Sequence, residues 1–365
     1  MQVPFSCARR AFPPPRRPRR LAPAALSLPP SRPPAPKRIV ARSEAISYNA
    51  SMPRYFDKLL VIANPVAQNG AGRAAATRVR ALLASAIGED SFKLVFTERP
   101  QHACELAGAA PSRGFDAVCA LGGDGIAHEV ANGLMSVSSD ARPAFGLVPV
   151  GSGNDYARTI GAPESLESAV LRLVDTEPTR LDVGRCNGRW FLETLSFGLD
   201  AAIALDTVER RARTGKTGTM LYLQAGIDQL MHHMEARTYA ASFDGAAPET
   251  GQSYLFAVQV GQTYGGGFRI CPDADPTDGA LDICIAHPPL TRASATLIFL
   301  LAKDAHHTRF KQIEIRRARL LHVSFDAPLA VQIDGEKLIS TSFDVAVERR
   351  ALAVIAPAFA KEARS

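Results

Sequence analysis

The chain has 365 residues, an apolar fraction of 46% and a formal charge of +6, enough for two domains with a core each. The charge sits in the wrong place for a nucleic-acid binder: residues 1–51 hold ten Lys or Arg against one acid, Glu44, so the tail carries +9 and the remainder −3. Six cysteines, Cys7, Cys104, Cys119, Cys186, Cys271 and Cys284, form no close pair, which excludes a disulfide framework or a zinc site by spacing and points to a reducing compartment.

Residues 1–55 read as a disordered Arg/Pro-rich tail, with eleven prolines in the first 36 residues. The arginine excess suits an organelle transit peptide, but the prolines oppose the amphipathic helix such peptides form. We read Met52 as the translation start and the tail as a gene-prediction artefact.

From Lys58 the pattern alternates: strand 59–64, helix 72–87, strand 92–97, helix 101–110, strand 116–121, a helix over 128–134 and strand 145–150. Continuous apolar strands between amphipathic helices predict a parallel sheet covered on both faces, over 56–178. After Thr179 the strands become closely spaced, at 181–186, 190–196, 239–243, 254–260, 281–286, 312–315, 320–325, 330–333 and 343–347, with helices near 200–213 and 217–234. This predicts an antiparallel β-sandwich domain over 179–350, and 351–365 as a C-terminal segment returning to the first domain. The fold class is therefore α/β plus all-β, with the active site in a cleft between the two domains. The longest apolar run, Ala293 to Ala302, is half the roughly 20 residues of a membrane span.

Ligands of parallel sheets bind at the carboxyl ends of the strands, and three loops fall there. Asn64-Pro65 leads through Gly70 and Gly72 to Arg73, a cation in reach of an anion. Gly122-Gly123-Asp124-Gly125 joins a buried strand to a helix, leaving backbone N–H groups free to hold phosphate. Asp124 would repel a bare phosphate, so a magnesium–nucleotide complex suits the turn better; an ordinary turn with Asp124 as helix N-cap is the competing reading. Gly151-Ser152-Gly153-Asn154 repeats the pattern. None has the ending of a P-loop or the Gly-x-Gly-x-x-Gly fingerprint.

In the second half, Asp275 and Asp278 share a tight loop whose spacing suits a hard cation, although solvated turn chemistry explains the same residues more simply. Asp334-Gly335 reads first as the type I′ turn of a hairpin, and alternatively as a base exposed at the sheet edge with Glu336 beside it. The pairs His232-His233 and His306-His307 lack partners for a metal and read as surface. The run Glu209 to Lys216 is a basic helix end able to meet phosphates or anionic headgroups in a cleft.

Gly122 to Gly125 followed by Glu129-Val130 and Asn132-Gly133-Leu134, then Gly151 to Arg158, then Asp278-Gly279-x-Leu281-Asp282, then Asp334-Gly335-Glu336, resembles the diacylglycerol kinase catalytic-domain family, close to its soluble bacterial lipid kinases and related to sphingosine and ceramide kinases. The resemblance runs in order from about Lys58 to Pro357. It implies ATP-dependent phosphorylation of a lipid hydroxyl, most naturally diacylglycerol to phosphatidic acid. The competing acceptors are a sphingoid base, ceramide or NAD, and the competing class is a non-catalytic nucleotide- or lipid-binding module.

Residue by residue, it implies a nucleotide site of Asn64, Pro65, Arg73, Gly122, Gly123, Gly125, Glu129, Gly151, Ser152, Gly153 and Asn154. It implies Asp124 in a magnesium–water network, Asp334 as general base with Glu336 in support, and a structural Mg2+ held by Asp275, Asp278 and the carbonyl of Ala280. The cofactors are then ATP and Mg2+, the partner a lipid substrate at a membrane surface and not nucleic acid, and a homodimer is compatible. The expected location is cytoplasmic with peripheral membrane contact. Ile126 stands where the family commonly has Thr, His128 where Asn is frequent, and Ser152 replaces Thr.

Overall fold

The computed structural model describes residues 54–216 and 218–360. Residues 1–53 and the last five residues lie outside them, as do most of the expected tail and the end of the C-terminal segment.

The first half runs β1 (Leu59–Ala63), α1 (Ala67–Ile87), β2 (Phe92–Phe96), α2 (His102–Gly108), β3 (Ala117–Gly122), α3 (Asp124–Met135), β4 (Ala144–Pro149), α4 (Asp155–Ile160) and α5 (Leu166–Asp175). The strands pair in parallel in the order β2-β1-β3-β4. Every residue of β1 and β3 is buried, because helices cover both faces. Ala103, Val130, Leu134 and Tyr156 of α2, α3 and α4 pack on one side, and Val79, Leu83, Val170 and Leu173 of α1 and α5 on the other. That two-sided burial makes the strands uninterrupted apolar runs.

The second half continues with β5 (Thr179–Cys186), β6 (Arg189–Phe191), β7 (Thr194–Gly198), α6 (Leu199–Thr214), α7 (Thr219–His232), β8 (Arg237–Phe243), β9 (Glu249–Ser253), β10 (Leu255–Gln259) and β11 (Leu281–Ala286). It ends with α8 (Arg292–Leu301), β12 (Ile313–Ala318), β13 (Leu320–Phe325), β14 (Val331–Ile333), β15 (Glu336–Leu338) and β16 (Ser342–Val354). A six-stranded antiparallel sheet, β12-β11-β10-β7-β14-β15, faces the strands around β16, β13 and β8. Between them lies an aromatic core in which Phe197 meets Phe256, Phe325 and Phe343 with ring centroids 4.8 to 5.8 Å apart. The expected two-domain architecture, α/β then antiparallel sandwich, is the one observed.

Three departures follow from contacts between distant segments. The strand expected over 190–196 is two strands: β6 pairs with β5 in one sheet and β7 with β10 and β14 in the other. The chain changes sheets at Leu192-Glu193, which leaves backbone N–H groups without a ladder partner. The last strand is longer than expected: β16 pairs with β5 and β13, passes a bulge between Glu348 and Leu352, and reaches β4, so one sheet runs through both halves. Beyond it, Ile355 N–H donates to the Phe145 carbonyl at 2.8 Å. β9, with the sequence Glu-Thr-Gly-Gln-Ser, carries almost no apolar pattern and forms only through its hairpin with β8.

Candidate active site

The glycine turns after β3 and β4 cross back to back. A Cβ on Gly151 would lie 2.4 Å from the Gly123 Cα, and one on Gly72 would lie 2.1 Å from the Asn64 carbonyl oxygen, so these glycines permit close backbone approach. Around Gly125, by contrast, nothing lies within 4 Å of such an atom. Asn154 closes the third loop on itself: its Oδ1 accepts from Gly151 N–H at 2.9 Å and its Nδ2 donates to the Gly151 carbonyl at 3.0 Å. Gln68 ties the first loop to the third by donating to the same carbonyl at 2.8 Å.

These turns form one wall of a cleft of about 420 Å³. Asn64, Gly123, Asp124, Gly125, Gly151, Ser152 and Gly153 line it from the α/β half, and Asp334, Gly335 and Glu336 from the sandwich. Gly122 and Asn154 shape the turns from behind, and Pro65 adjoins the first. Two expected residues lie elsewhere. Arg73 is exposed and stacks on Phe96, its guanidinium 5.1 Å from the ring centroid. Glu129 accepts from Ala103 N–H at 3.2 Å, at the start of α2.

Asp124 is the first residue of α3, behind Gly123 as N-cap, and its Oδ1 accepts from Tyr156 N–H at 3.2 Å. It caps no end of its own helix. Burial, reinforced by the nearby Asp155 carboxylate, pushes its pKa up to about 7, with Asp334 adding a smaller push and backbone N–H groups opposing.

Asp334 and Gly335 have φ of 47° and 89° between β14 and β15, a two-residue turn with both centres left-handed. The turn reading therefore holds, but Asp334 is not exposed at the sheet edge as expected: the turn aims its carboxylate inward, where the side chain is only 4% exposed. Oδ1 accepts from Glu193 and Thr194 N–H at 3.1 and 3.0 Å, and Oδ2 from Leu192 N–H at 2.8 Å. Those are the donors stranded where the chain changes sheets. His128 Nδ1, 3.0 Å from Oδ2, completes the set.

The sequence reading missed two buried carboxylates. Asp155 accepts from Gly266 and Gly267 N–H at 2.8 and 2.7 Å and pairs with Arg158 at 2.9 Å. It thereby pins a fourth glycine loop, Gly265 to Gly267, whose φ values are all positive; the triple glycine was the available signal. Glu193 is buried on the cleft wall. Its Oε1 accepts from the Thr159 hydroxyl at 2.8 Å and Thr263 N–H at 3.2 Å, while Oε2 has no partner. Burial drives its pKa well above the carboxylate range; a lone acid in Phe-Leu-Glu-Thr-Leu was its signal.

The cleft ends at Tyr222 and Tyr264, which also wall a second, apolar cavity of about 60 Å³ enclosed by the six-stranded sheet and helices α6, α7 and α8. Both tyrosine hydroxyls donate to Oδ1 of buried Asp200, whose Oδ2 has no partner and whose pKa burial pushes up to about 6.

In the 272–281 loop, Asp275 Oδ1 accepts from Thr277 N–H and hydroxyl at 2.9 and 2.7 Å. Asp278 accepts from Ala280 N–H at 3.0 Å and pairs with the Arg317 guanidinium. The turn chemistry weighed for this loop is thus present, and an arginine already neutralises Asp278. Among the described residues no group of three or more His, Cys, Asp or Glu is placed to hold a metal ion.

The diacylglycerol kinase catalytic domain model matches residues 58–186, and the YegS C-terminal NAD kinase beta sandwich-like domain model matches residues 193–356. Residues 58–186 thus belong to the diacylglycerol kinase catalytic-domain family. Diacylglycerol kinases of Staphylococcus haemolyticus and Staphylococcus aureus are 27% and 26% identical to it over 240 residues, covering 66% of this chain and 71% and 74% of theirs. The crystal structure of a putative diacylglycerol kinase from Bacillus anthracis shares the fold, with a TM-score of 0.71 at 23% identity, covering 85% of this chain and 99% of that one. With this catalytic domain the chain is a kinase, and the two matched domains meet at the cleft.

Proposed function

We propose that the protein transfers the γ-phosphate of ATP, as its magnesium complex, to the hydroxyl of diacylglycerol, giving phosphatidic acid. One observation carries the reading: a glycine-walled cleft, with carboxylates from both halves, ends at two tyrosines whose side chains also wall an apolar cavity. The relatives named diacylglycerol kinase support the choice of acceptor.

Phosphoryl transfer depends on positioning and charge neutralisation. In this reading the backbone N–H groups at Gly123 to Gly125 and at Ser152 and Gly153 cradle phosphates, and the open space around Gly125 admits them. Mg2+ is commonly held by one or two carboxylates together with phosphates and waters, a donor set that Asp124 fits when nucleotide is bound; the ion would screen the phosphates from the acidic cleft. Arg211, exposed at the rim, supplies a cation. On the acceptor side Asp334 takes the hydroxyl proton as the oxygen attacks phosphorus and the bond to ADP breaks. Glu336, exposed in the cleft two residues on, supports it electrostatically.

The apolar cavity is the acceptor's acyl site. At about 60 Å³ it holds roughly two water volumes, so α7 and α8 part to admit a chain. Their outer faces favour that at a bilayer: Met220, Ile227 and Met231 of α7 and Leu297 and Leu300 of α8 are exposed, and Arg213 and Lys216 nearby have exposed side chains. No helix among the described residues is long and apolar enough to cross a membrane, so the contact we propose is peripheral. A cytoplasmic location suits the five described cysteines, all free.

The test is transfer of labelled γ-phosphate from ATP with Mg2+ to diacylglycerol, ceramide, sphingosine and NAD, each offered separately, with Asp334→Asn as control. Labelled phosphatidic acid that the control fails to make, at least about 100-fold below wild type, supports the reading. Product only on another acceptor replaces diacylglycerol, and an active Asp334→Asn variant removes the base.

A further inference from the structure

We propose that His128 is a positioning residue for the phosphoryl-transfer step: its ring holds Asp334 in place and is the one donor that gives way when the acceptor hydroxyl arrives. The inference rests on the kinase reading above. A carboxylate offers about four lone-pair positions, and those of Asp334 are all taken. Three go to the N–H groups of Leu192, Glu193 and Thr194, and the fourth to His128 Nδ1 at 3.0 Å. A base so surrounded must release one donor before it can accept the proton of an alcohol. Of the three backbone donors, Leu192 and Glu193 link β6 to β7 and Thr194 opens β7, so they are held by two sheets and cannot turn away. The His128 side chain can.

The neighbours of His128 fix its state. Asn132, one turn along α3, accepts from Trp190 N–H at 3.1 Å and donates to the Trp190 and His128 carbonyls at 3.0 and 2.9 Å, which sets the orientation of its amide. The same Nδ2 lies 3.3 Å from His128 Nε2. Both hydrogens of that amide are spent on the two carbonyls, so the proton on Nδ1 is set by Asp334, whose ionised carboxylate only accepts. Asn132 packs against the far side of the ring, and the histidine orients the aspartate. Both side chains of the His–Asp pair are nearly buried, at 5% and 4% exposure, so the contact is formed in low dielectric.

During transfer the hydroxyl takes the place of Nδ1–H at Oδ2. The acceptor oxygen bonds to the γ-phosphorus, the bond to the ADP oxygen breaks with its electron pair on ADP, and the proton passes to Asp334.

The test compares His128→Ala and His128→Asn with wild type. An asparagine amide nitrogen reaches the position of Nδ1 and restores a donor. Alanine is expected to lower kcat about 10- to 100-fold, the scale on which a base no longer held in place costs rate, with KM for ATP and lipid within about threefold, and asparagine to recover most of it. Equal losses in both variants, or an unchanged kcat in alanine, overturn the proposal. A second measurement needs no turnover. Nitrogen NMR of histidine-labelled protein at neutral pH is expected to show His128 carrying a proton on Nδ1, with Asp334→Asn shifting that resonance. A ring protonated on Nε2 alone overturns the geometry even if no acceptor is phosphorylated.

Discussion

Gly151→Ala and Gly125→Ala separate a glycine held by packing from one held open for a ligand. At Gly151 the new Cβ would stand 2.4 Å from the Gly123 Cα and 2.5 Å from Asn154 Oδ1. Ordinary contact begins near 3.4 Å, so the two glycine turns must separate by about 1 Å. Backbone sits on one side and the hydrogen bonds closing the 151–154 turn on the other, so little of this relaxes. Overpacking of this kind costs about 1–3 kcal/mol, and at about 2–4 °C per kcal/mol for a domain of this size the melting temperature should fall by about 2–12 °C. At Gly125, on the first turn of α3, the added methyl meets nothing and alanine is the better helix former by up to about 1 kcal/mol. That variant should melt at or slightly above the wild-type temperature. If phosphate approaches the backbone there, its affinity for ATP, read by calorimetry, should fall at least tenfold. Stable Gly125→Ala with unchanged ATP affinity would refute the placement of nucleotide against this turn, and Gly151→Ala melting like wild type would refute the packing account.

Three further outcomes are expected. The pKa of Asp124 is raised to about 7 in the fold, so the folded chain keeps a proton that the unfolded chain has lost between about pH 4 and 7, and stability falls as pH rises through that window. Asp124→Asn should therefore melt above wild type at pH 8 and converge with it near pH 4, and parallel curves would count against a buried charged Asp124. Ala295→Leu fills the apolar cavity at an overpacking cost of about 1–3 kcal/mol; turnover of long-chain diacylglycerol should drop more than that of a short-chain analogue, with ATP affinity unchanged, whereas equal loss on both would empty the cavity of its role. Arg213→Ala with Lys216→Ala should weaken binding to anionic vesicles by about 2 kcal/mol, roughly 30-fold at low salt, since each basic residue contributes about 1 kcal/mol at such a surface; sedimentation unchanged by the pair would place the membrane contact elsewhere.

Sequence and tertiary structure divided the site between them by the range of the interactions involved. The sequence by itself determined the parallel sheet, because strands buried on both faces must be continuously apolar, as β1 and β3 are. It determined the glycine turns at the sheet's carboxyl edge and the Asp-Gly hairpin, since left-handed and closely approached backbone positions demand those residue types. It could not determine what Asp334 touches. That carboxylate meets Leu192, Glu193 and Thr194 only because one apparent strand breaks to join two sheets, and His128 only because α3 packs behind it. Neither contact leaves a periodicity in the chain. Nor could it assign Glu129 and Arg73, whose places in a motif and at the end of a glycine loop said nothing of which way they face. The continuity of one sheet through both halves was equally hidden, because β16 joins β4 through partners about 200 residues apart. Local residue chemistry fixes turns and strands; which side chains share a cleft is set by long-range pairing, and that was decided only in the folded chain.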